Sequence, residues 1–208
     1  MAFVVVSAVF MVFPQIDIAV SSLFYDGKKF WLNGTLFEEI FYYSVKPLLI
    51  TLFLGSLFVF IYNKITKKTL LNLTSSVMLY IVLVLSIAPG LIVNKTLKDN
   101  WGRARPAETT IFGGKKEFTP AFVLSDQDGY SFSSGHSAAA FSLVGFALLF
   151  RKKRKTVMFV ALSYGVLVSI ARMGAGGHFF SDVVTSFFIV WIATHIFYRL
   201  VFKKDSNV

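Results

Sequence analysis

The stretch Ala171-Arg-Met-Gly-Ala-Gly-Gly-His-Phe-Phe-Ser-Asp182 joins two long apolar runs and carries an arginine, three glycines, a histidine and an aspartate. Ionisable groups at a membrane boundary are energetically costly, so they indicate a functional site by default. His178 and Asp182 are four residues apart, which on a helix places both side chains on one face. Arg172 offers a planar set of donors that suits phosphate, and the glycines allow close approach of a ligand. The alternative interpretation is a polar turn that only caps a helix.

The composition around this stretch is typical of an integral membrane protein. Of the 208 residues, 55% are hydrophobic and 24 are phenylalanine, which is more apolar than a soluble domain of this length. We therefore expect one all-α membrane-embedded domain over residues 1–208. The sequence has no cysteine, which excludes disulfide and thiolate chemistry and is compatible with either side of a membrane.

Six apolar segments predict a bundle of six transmembrane helices. Pro89-Gly90 lies inside the third segment and predicts a kink there. One long polar connection lies between the third and fourth segments. The sequence does not indicate a role for its central part, loop 107–132. The predicted spans are residues 1 to about 25, 45–62, 75 to about 97, 135–150, 156–171 and 179–202.

The net charge of +10 is concentrated at one end of the predicted bundle. The ends of spans two, four and six carry eleven lysines and arginines against one acid, Asp205, if Lys203 and Lys204 are included. The positive-inside rule makes that end cytoplasmic, with both termini inside. The polar loop region between spans three and four is then periplasmic, as is the Ala171–Asp182 turn. Nucleic-acid binding by the basic cluster at 151–155 is the less favoured interpretation.

Two further polar patches lie at the same predicted outer face. In the first, Lys98 and Arg105 are seven residues apart and face the same way on a continuing helix, whereas Arg103 points elsewhere. In the second, Ser134-Gly135-His136 begins the fourth span, where unpaired N–H groups and the helix dipole favour an anion. A simple N-cap role for Ser134 is the structural alternative.

Together the three patches supply three cations, a helix N-terminus and two histidines, one of them backed by a carboxylate. Such a set suits phosphoryl transfer without a metal, and no spacing of His, Cys, Asp or Glu indicates a metal site or another cofactor. His195 lies 17 residues beyond His178, roughly 25 Å away along a helix, and is excluded from this site.

The order and spacing of these patches resemble the three-part signature of the type-2 phosphatidic acid phosphatase superfamily, which shares its core with vanadium haloperoxidases. The matching residues are Lys98-x6-Arg105-Pro106, then Ser134-Gly135-His136, then Arg172-x5-His178-x3-Asp182. Two positions depart from the usual pattern, with Ser133 in place of a proline and Ala171 in place of a serine. Neither replaced group has a chemical role in this interpretation.

The resemblance implies a role for each matching residue. His178 would be the nucleophile that forms a phosphohistidine, and Asp182 would orient its imidazole. His136 would donate a proton to the leaving alcohol and then activate water. The phosphate oxygens would be bound by Lys98, Arg105, Arg172, Ser134 and the N–H of Gly135.

The predicted fourth span favours a lipid substrate. Its 16 residues cover about 24 Å as a helix, against about 30 Å of hydrocarbon, so His136 is expected near or below the outer lipid surface. The segment Trp101-Gly-Arg-Ala-Arg-Pro resembles the first motif of bacterial lipid A phosphatases. Lys28, Lys29, Lys115 and Lys116 could bind a second phosphate of such a lipid, although ordinary solvated lysines are the favoured interpretation.

We therefore expect a metal-independent lipid phosphatase of the bacterial inner membrane with its active site facing the periplasm, acting as a lipid A 1-phosphatase. The alternatives left open are a phosphatase for phosphatidylglycerol phosphate or undecaprenyl pyrophosphate, a lipid phosphotransferase, and a non-catalytic lipid-binding or transport protein on the same scaffold. The sequence predicts no nucleic-acid partner and does not predict the oligomeric state.

Overall fold

Helices are the main elements of residues 1–202, the part of the chain that this computed structural model describes. Within that range β pairing is limited to two isolated bridges, which confirms the all-α expectation. The helices are α1 Ala2–Val12, α2 Gln15–Ser22, α3 Leu36–Thr66, α4 Ser75–Ser86, a π-helix Ile87–Lys98, α5 Asp99–Trp101, α6 Gly135–Phe141, α7 Val144–Leu149, α8 Arg154–Gly174 and α9 Phe180–Phe202, with 3₁₀ turns at Leu70–Asn72, Pro106–Glu108 and Thr110–Phe112.

The six predicted apolar segments are helical, but they are not six equal spans. Within residues 1–202, four helical runs are long and apolar enough to cross a membrane: α3, the run that starts with α4, α8 and α9. The predicted first span is instead the bent pair α1 and α2, whose axes differ by 83°. Pro14 stands at the bend, because a proline lacks the N–H that would continue α1.

Two other predicted spans also differ in detail. The fourth is a shorter apolar helix, Gly135–Leu149, which is interrupted between α6 and α7. The third does not simply kink at Pro89 but continues as the π-helix, in which the Asn94 side chain donates to the Pro89 carbonyl over 2.8 Å. Wide helical turns of this kind are frequent at functional sites, and this one ends at Lys98. Lys203, Lys204 and Asp205, which entered the charge comparison, lie outside the described residues.

The helices pack around α9, which contacts α1, α2, α4, α6 and α7, while α8 packs against α3, α6 and α7. Small residues allow the close approaches. A Cβ atom on Gly165 of α8, for example, would collide with the ring of Phe141 on α6. By contrast, α3 lies at the periphery and nearly all of its apolar residues are at least partly exposed, as expected for a helix whose surface faces lipid.

The long polar connection folds into a packed layer at one end of the bundle. Its backbone doubles back, so that Ser131 N donates to the Arg103 carbonyl over 2.9 Å. A Cβ atom on Gly129 would collide with the backbone of Arg103, and one on Gly102 with that of Ser125. The loop whose role the sequence left open therefore brings the backbone of Ser131 beside the predicted nucleophile.

Candidate active site

The predicted site residues come from five separate elements and lie close enough for their charges to act on one another. Lys98 ends the π-helix and Arg105 follows α5. His136 lies in the first turn of α6, Arg172 in the last turn of α8, and His178 in the turn before α9. The positive charges of Arg172, Lys98 and Arg105 all act on His136, so these groups lie near one another. The structure therefore brings the three polar patches together, as the sequence predicted.

His178 is buried, with 1% of its surface exposed, and its orientation is fixed by the backbone. Its Nδ1 atom lies 2.7 Å from the carbonyl oxygen of Ser131. Because a carbonyl oxygen only accepts hydrogen bonds, Nδ1 must carry the proton. The lone pair of His178 is then on Nε2, the atom that could attack an electrophile.

The protonation state of His178 also suits a nucleophile. Burial lowers the pKa of His178 from its ordinary value near 6.5 to about 4, and this effect outweighs the opposing attraction of the Asp182 carboxylate. The imidazole is therefore neutral at neutral pH, and a neutral imidazole keeps the lone pair that nucleophilic attack requires.

Asp182 contacts His178 less directly than the sequence suggested. Its Oδ2 atom is 3.8 Å from Nδ1 of His178, beyond hydrogen-bond distance. That oxygen instead accepts bonds from the Ser131 hydroxyl at 2.6 Å and the Phe179 N–H at 2.8 Å. Asp182 thus holds Ser131, whose carbonyl in turn holds His178. Ser131 is a site residue that sequence reasoning missed.

Arg103 is a second residue that the sequence did not place in the site. Its guanidinium is fully buried and donates to Asp182 at 2.6 Å, to Asp17 at 2.8 Å, to Ser181 at 2.9 Å and to the Thr119 carbonyl at 2.8 Å. It also lies 4.4 Å from the centre of the Phe179 ring. The feature of the sequence that could have indicated Arg103 is Asp17, a lone carboxylate in an apolar run, because such a charge needs a buried partner.

Arg172 is held in place but keeps donors for a ligand. Its Nη1 atom donates to Glu38 of α3 at 2.9 Å, and both side chains are nearly buried. The buried Nε atoms of Arg172 and Arg105 have no hydrogen-bond acceptor among residues 1–202. A Cβ atom on Gly177 would collide with the Arg172 guanidinium, so this glycine leaves room for the cation.

The start of α6 offers backbone donors rather than a free hydroxyl. Ser134 Oγ accepts from Ser137 N at 3.4 Å and donates to Ser137 Oγ at 2.9 Å, which is the N-cap role considered from the sequence. Within the described part of the chain, the N–H groups of Gly135 and His136 have no acceptor. An anion at this point would therefore be bound by backbone amides.

The surroundings of His136 also involve α3. Its ring stacks on Tyr42 with a centroid distance of 4.3 Å and an angle of 23° between the ring planes. The Arg172 guanidinium carbon lies 4.7 Å from the centre of the same tyrosine ring. Tyr42 and Glu38 are thus two more residues beside the site that the sequence motifs did not include.

The assembled groups are cations, backbone donors and two imidazoles, which lie close to one another. Such a set can neutralise a phosphate group, attack its phosphorus atom from a fixed neutral imidazole and exchange protons through a second imidazole.

Comparisons with known proteins agree with this chemistry. The sequence model of the PAP2 superfamily matches residues 77–206. The chain is 35% identical to the lipid A 4′-phosphatase of Francisella tularensis subsp. novicida (strain U112), over 95% of this chain and 91% of the relative. It is 38% identical to the lipid A 4′-phosphatase of Rhizobium leguminosarum over 48% of this chain and 44% of the relative. No solved structure matches the chain.

Proposed function

This chain belongs to the PAP2 superfamily, and we propose that it is a multi-pass membrane phosphatase that removes the 4′-phosphate of lipid A through a phosphohistidine on His178. The observation that carries the catalytic part is the buried, neutral His178 whose Nδ1–H is bonded to the Ser131 carbonyl. The lipid A part is supported by the similarity to the relative from Francisella, which extends over nearly the full length.

The proposed position on the lipid replaces the expectation from the sequence. The resemblance in the first motif led to a lipid A 1-phosphatase. The relatives that match this chain are named for the 4′ position instead, so the 1-phosphate expectation has no support. We therefore place the reaction at the 4′-phosphate, which is an ester of a sugar hydroxyl.

In the proposed first step, the Nε2 lone pair of His178 attacks phosphorus and the bond from phosphorus to the sugar oxygen breaks. His136, as an imidazolium, gives a proton to that departing oxygen and becomes neutral. Asp182, 3.8 Å from the imidazole, stabilises the positive charge that develops on the ring. The phosphate oxygens are bound by Lys98, Arg105, Arg172 and the amide of Gly135, with Ser134 shaping the helix start.

In the second step, water attacks the phosphohistidine while His136 takes its proton, and the bond between phosphorus and Nε2 breaks. Inorganic phosphate leaves and both histidines return to their starting states. We place this site on the periplasmic face of the bacterial inner membrane with both termini cytoplasmic, because the basic loops lie at the opposite end of the chain's spans.

The test is release of phosphate from lipid A by the purified protein in detergent, with the remaining phosphate located by tandem mass spectrometry. We expect loss of the 4′-phosphate, no inhibition by a chelator, and a fall of roughly a thousandfold or more in His178→Ala. His195→Ala is the matched control, because His195 bonds to Trp191 within α9, far from the site. Removal of the 1-phosphate alone, or activity that survives His178→Ala, would contradict the proposal.

A further inference from the structure

The two histidines of the site are held in different ways. His178 is fixed by a hydrogen bond of 2.7 Å to the Ser131 carbonyl. The ring of His136 makes no hydrogen bond to any of residues 1–202. A side chain that must transfer a proton needs a defined position, since proton transfer requires approach to within hydrogen-bond distance. Something other than a hydrogen bond must therefore orient His136.

The residue that can orient the His136 ring is Tyr42. Its ring lies nearly parallel to that of His136, with the centroids 4.3 Å apart. Tyr42 belongs to α3, and its ring also lies 4.7 Å from the Arg172 guanidinium carbon. One helical turn earlier on the same face, Glu38 bonds to Arg172 at 2.9 Å. The beginning of α3 is thus anchored to the site by an ion pair.

We infer that Tyr42 is a positioning residue of this active site, which holds the His136 imidazole in the plane needed for proton transfer to the leaving oxygen. The inference rests on the proposed function and adds a residue outside the part of the chain that the family match covers, since that match begins at residue 77. Tyr42 does not touch the reacting atoms in this scheme. It acts only through His136.

The proposed chemistry gives this role a distinctive kinetic signature. When the leaving oxygen belongs to an alkyl or sugar alcohol, it must gain a proton as its bond to phosphorus breaks. When it belongs to p-nitrophenol, it is stable as an anion and needs no proton. Loss of His136 positioning should therefore impair the first class of substrate much more than the second.

The experiment compares kcat/KM for decyl phosphate and p-nitrophenyl phosphate, using the full chain purified in detergent. This ratio reports the steps up to departure of the leaving group, so hydrolysis of the phosphohistidine does not enter it. For Tyr42→Leu we expect a fall of roughly 30-fold or more with decyl phosphate and of less than about threefold with p-nitrophenyl phosphate. Tyr42→Phe keeps the ring, so both values should stay within about threefold of wild type.

Two further variants make the comparison specific. Phe58→Leu removes a ring from an exposed position on the same helix and should leave both substrates unaffected. In the double variant Tyr42→Leu with His136→Ala, the loss with decyl phosphate should equal that of His136→Ala alone, because two residues that act as one unit are not additive. Tyr42→Gln serves for the same measurements if Tyr42→Leu does not give a monodisperse protein.

Equal losses on both substrates in Tyr42→Leu, unchanged rates, or additive effects in the double variant would overturn the role of Tyr42. A wild-type protein that releases no phosphate from lipid A or from either model substrate, or a His178→Ala variant that hydrolyses them normally, would instead overturn the proposed function. If the wild type is active and His178→Ala is inactive, the proposed function stands, and the Tyr42 variants then test only the role of Tyr42.

Discussion

At the scale of single residues, Ser131 and Asp182 have different roles in holding the predicted nucleophile, His178. The Ser131 carbonyl accepts from Nδ1 of His178 and so selects the tautomer with a free Nε2. Asp182 bonds to the Ser131 hydroxyl and the Phe179 N–H, which fixes the backbone on both sides of the imidazole. The Asp182 carboxylate thus orients His178 indirectly, by fixing Ser131 and Phe179, and makes no direct hydrogen bond to the imidazole.

The buried state of His178 predicts how stability responds to pH. The unfolded chain would bind a proton on this ring below about pH 6.5, whereas burial lowers the pKa of His178 in the folded protein to about 4. The unfolded state therefore binds more protons between these values, so the free energy of unfolding decreases as the pH falls from about 6.5 to 4. Above about pH 6.5 this group makes no pH-dependent contribution.

The measurement is the midpoint of thermal unfolding in detergent, for wild type and His178→Gln, from pH 4 to 8. Glutamine has an amide that can donate to the Ser131 carbonyl but has no group that titrates in this range. The midpoint of the variant should decrease less than that of wild type between pH 6.5 and 4. Parallel curves for the two proteins would show that His178 is not buried in its neutral form.

At the scale of elements, Arg103 ties the beginning of the chain to its last helix. Asp17 of α2 bonds to Arg103 and also accepts from the Ser181 N–H at 2.8 Å, at the start of α9. Asp182, the residue after Ser181, accepts a hydrogen bond from the same guanidinium. The bent pair α1 and α2 is therefore fastened to the turn that carries His178, although it contributes no group to the proposed chemistry.

Removal of this guanidinium should be severely destabilising. Arg103→Met leaves Asp17 and Asp182 buried without their cation, and breaking a buried ion pair in this way costs about 3–5 kcal/mol. The matched control is Lys95→Met, which removes a cation from an exposed pair with Asp99 at 3.6 Å and should cost at most about 1 kcal/mol. Denaturant unfolding in detergent compares the two. Similar stabilities for the two variants would contradict the role of Arg103 as the link between α2 and α9.

At the scale of the whole molecule, the proposed orientation in the membrane can be tested directly because the chain has no cysteine. Lys115→Cys places a thiol in the polar layer beside the site, and Lys152→Cys places one in the basic loop between α7 and α8; both positions are exposed. In cells with a permeabilised outer membrane, an impermeant maleimide should label position 115 and not position 152. The reverse pattern would place the site on the cytoplasmic side.

The sequence predicted an all-helical membrane protein and placed the site motifs at one end of it, because apolar runs and polar motifs leave local patterns. Apolar runs located the spans, and Lys98, Arg105, His136, Arg172 and His178 could be grouped by their shared end of the bundle. Asp17, Glu38 and Tyr42 could not be assigned, because their partners lie 86, 134 and 94 residues away and no local pattern encodes such contacts. Both α2 and the π-helix also contact α9, and periodicity does not describe such long-range packing.

The link from Asp17 to Arg103 has a consequence for biosynthesis. The ribosome makes Asp17 first and must add 86 more residues before Arg103 exists. At about 5–20 residues per second, this interval lasts roughly 4–17 s. A lone carboxylate is costly inside a bilayer, so α1 and α2 should not settle at their final depth during that interval. We therefore expect insertion of the first helices to stay reversible at least until Arg103 has been made.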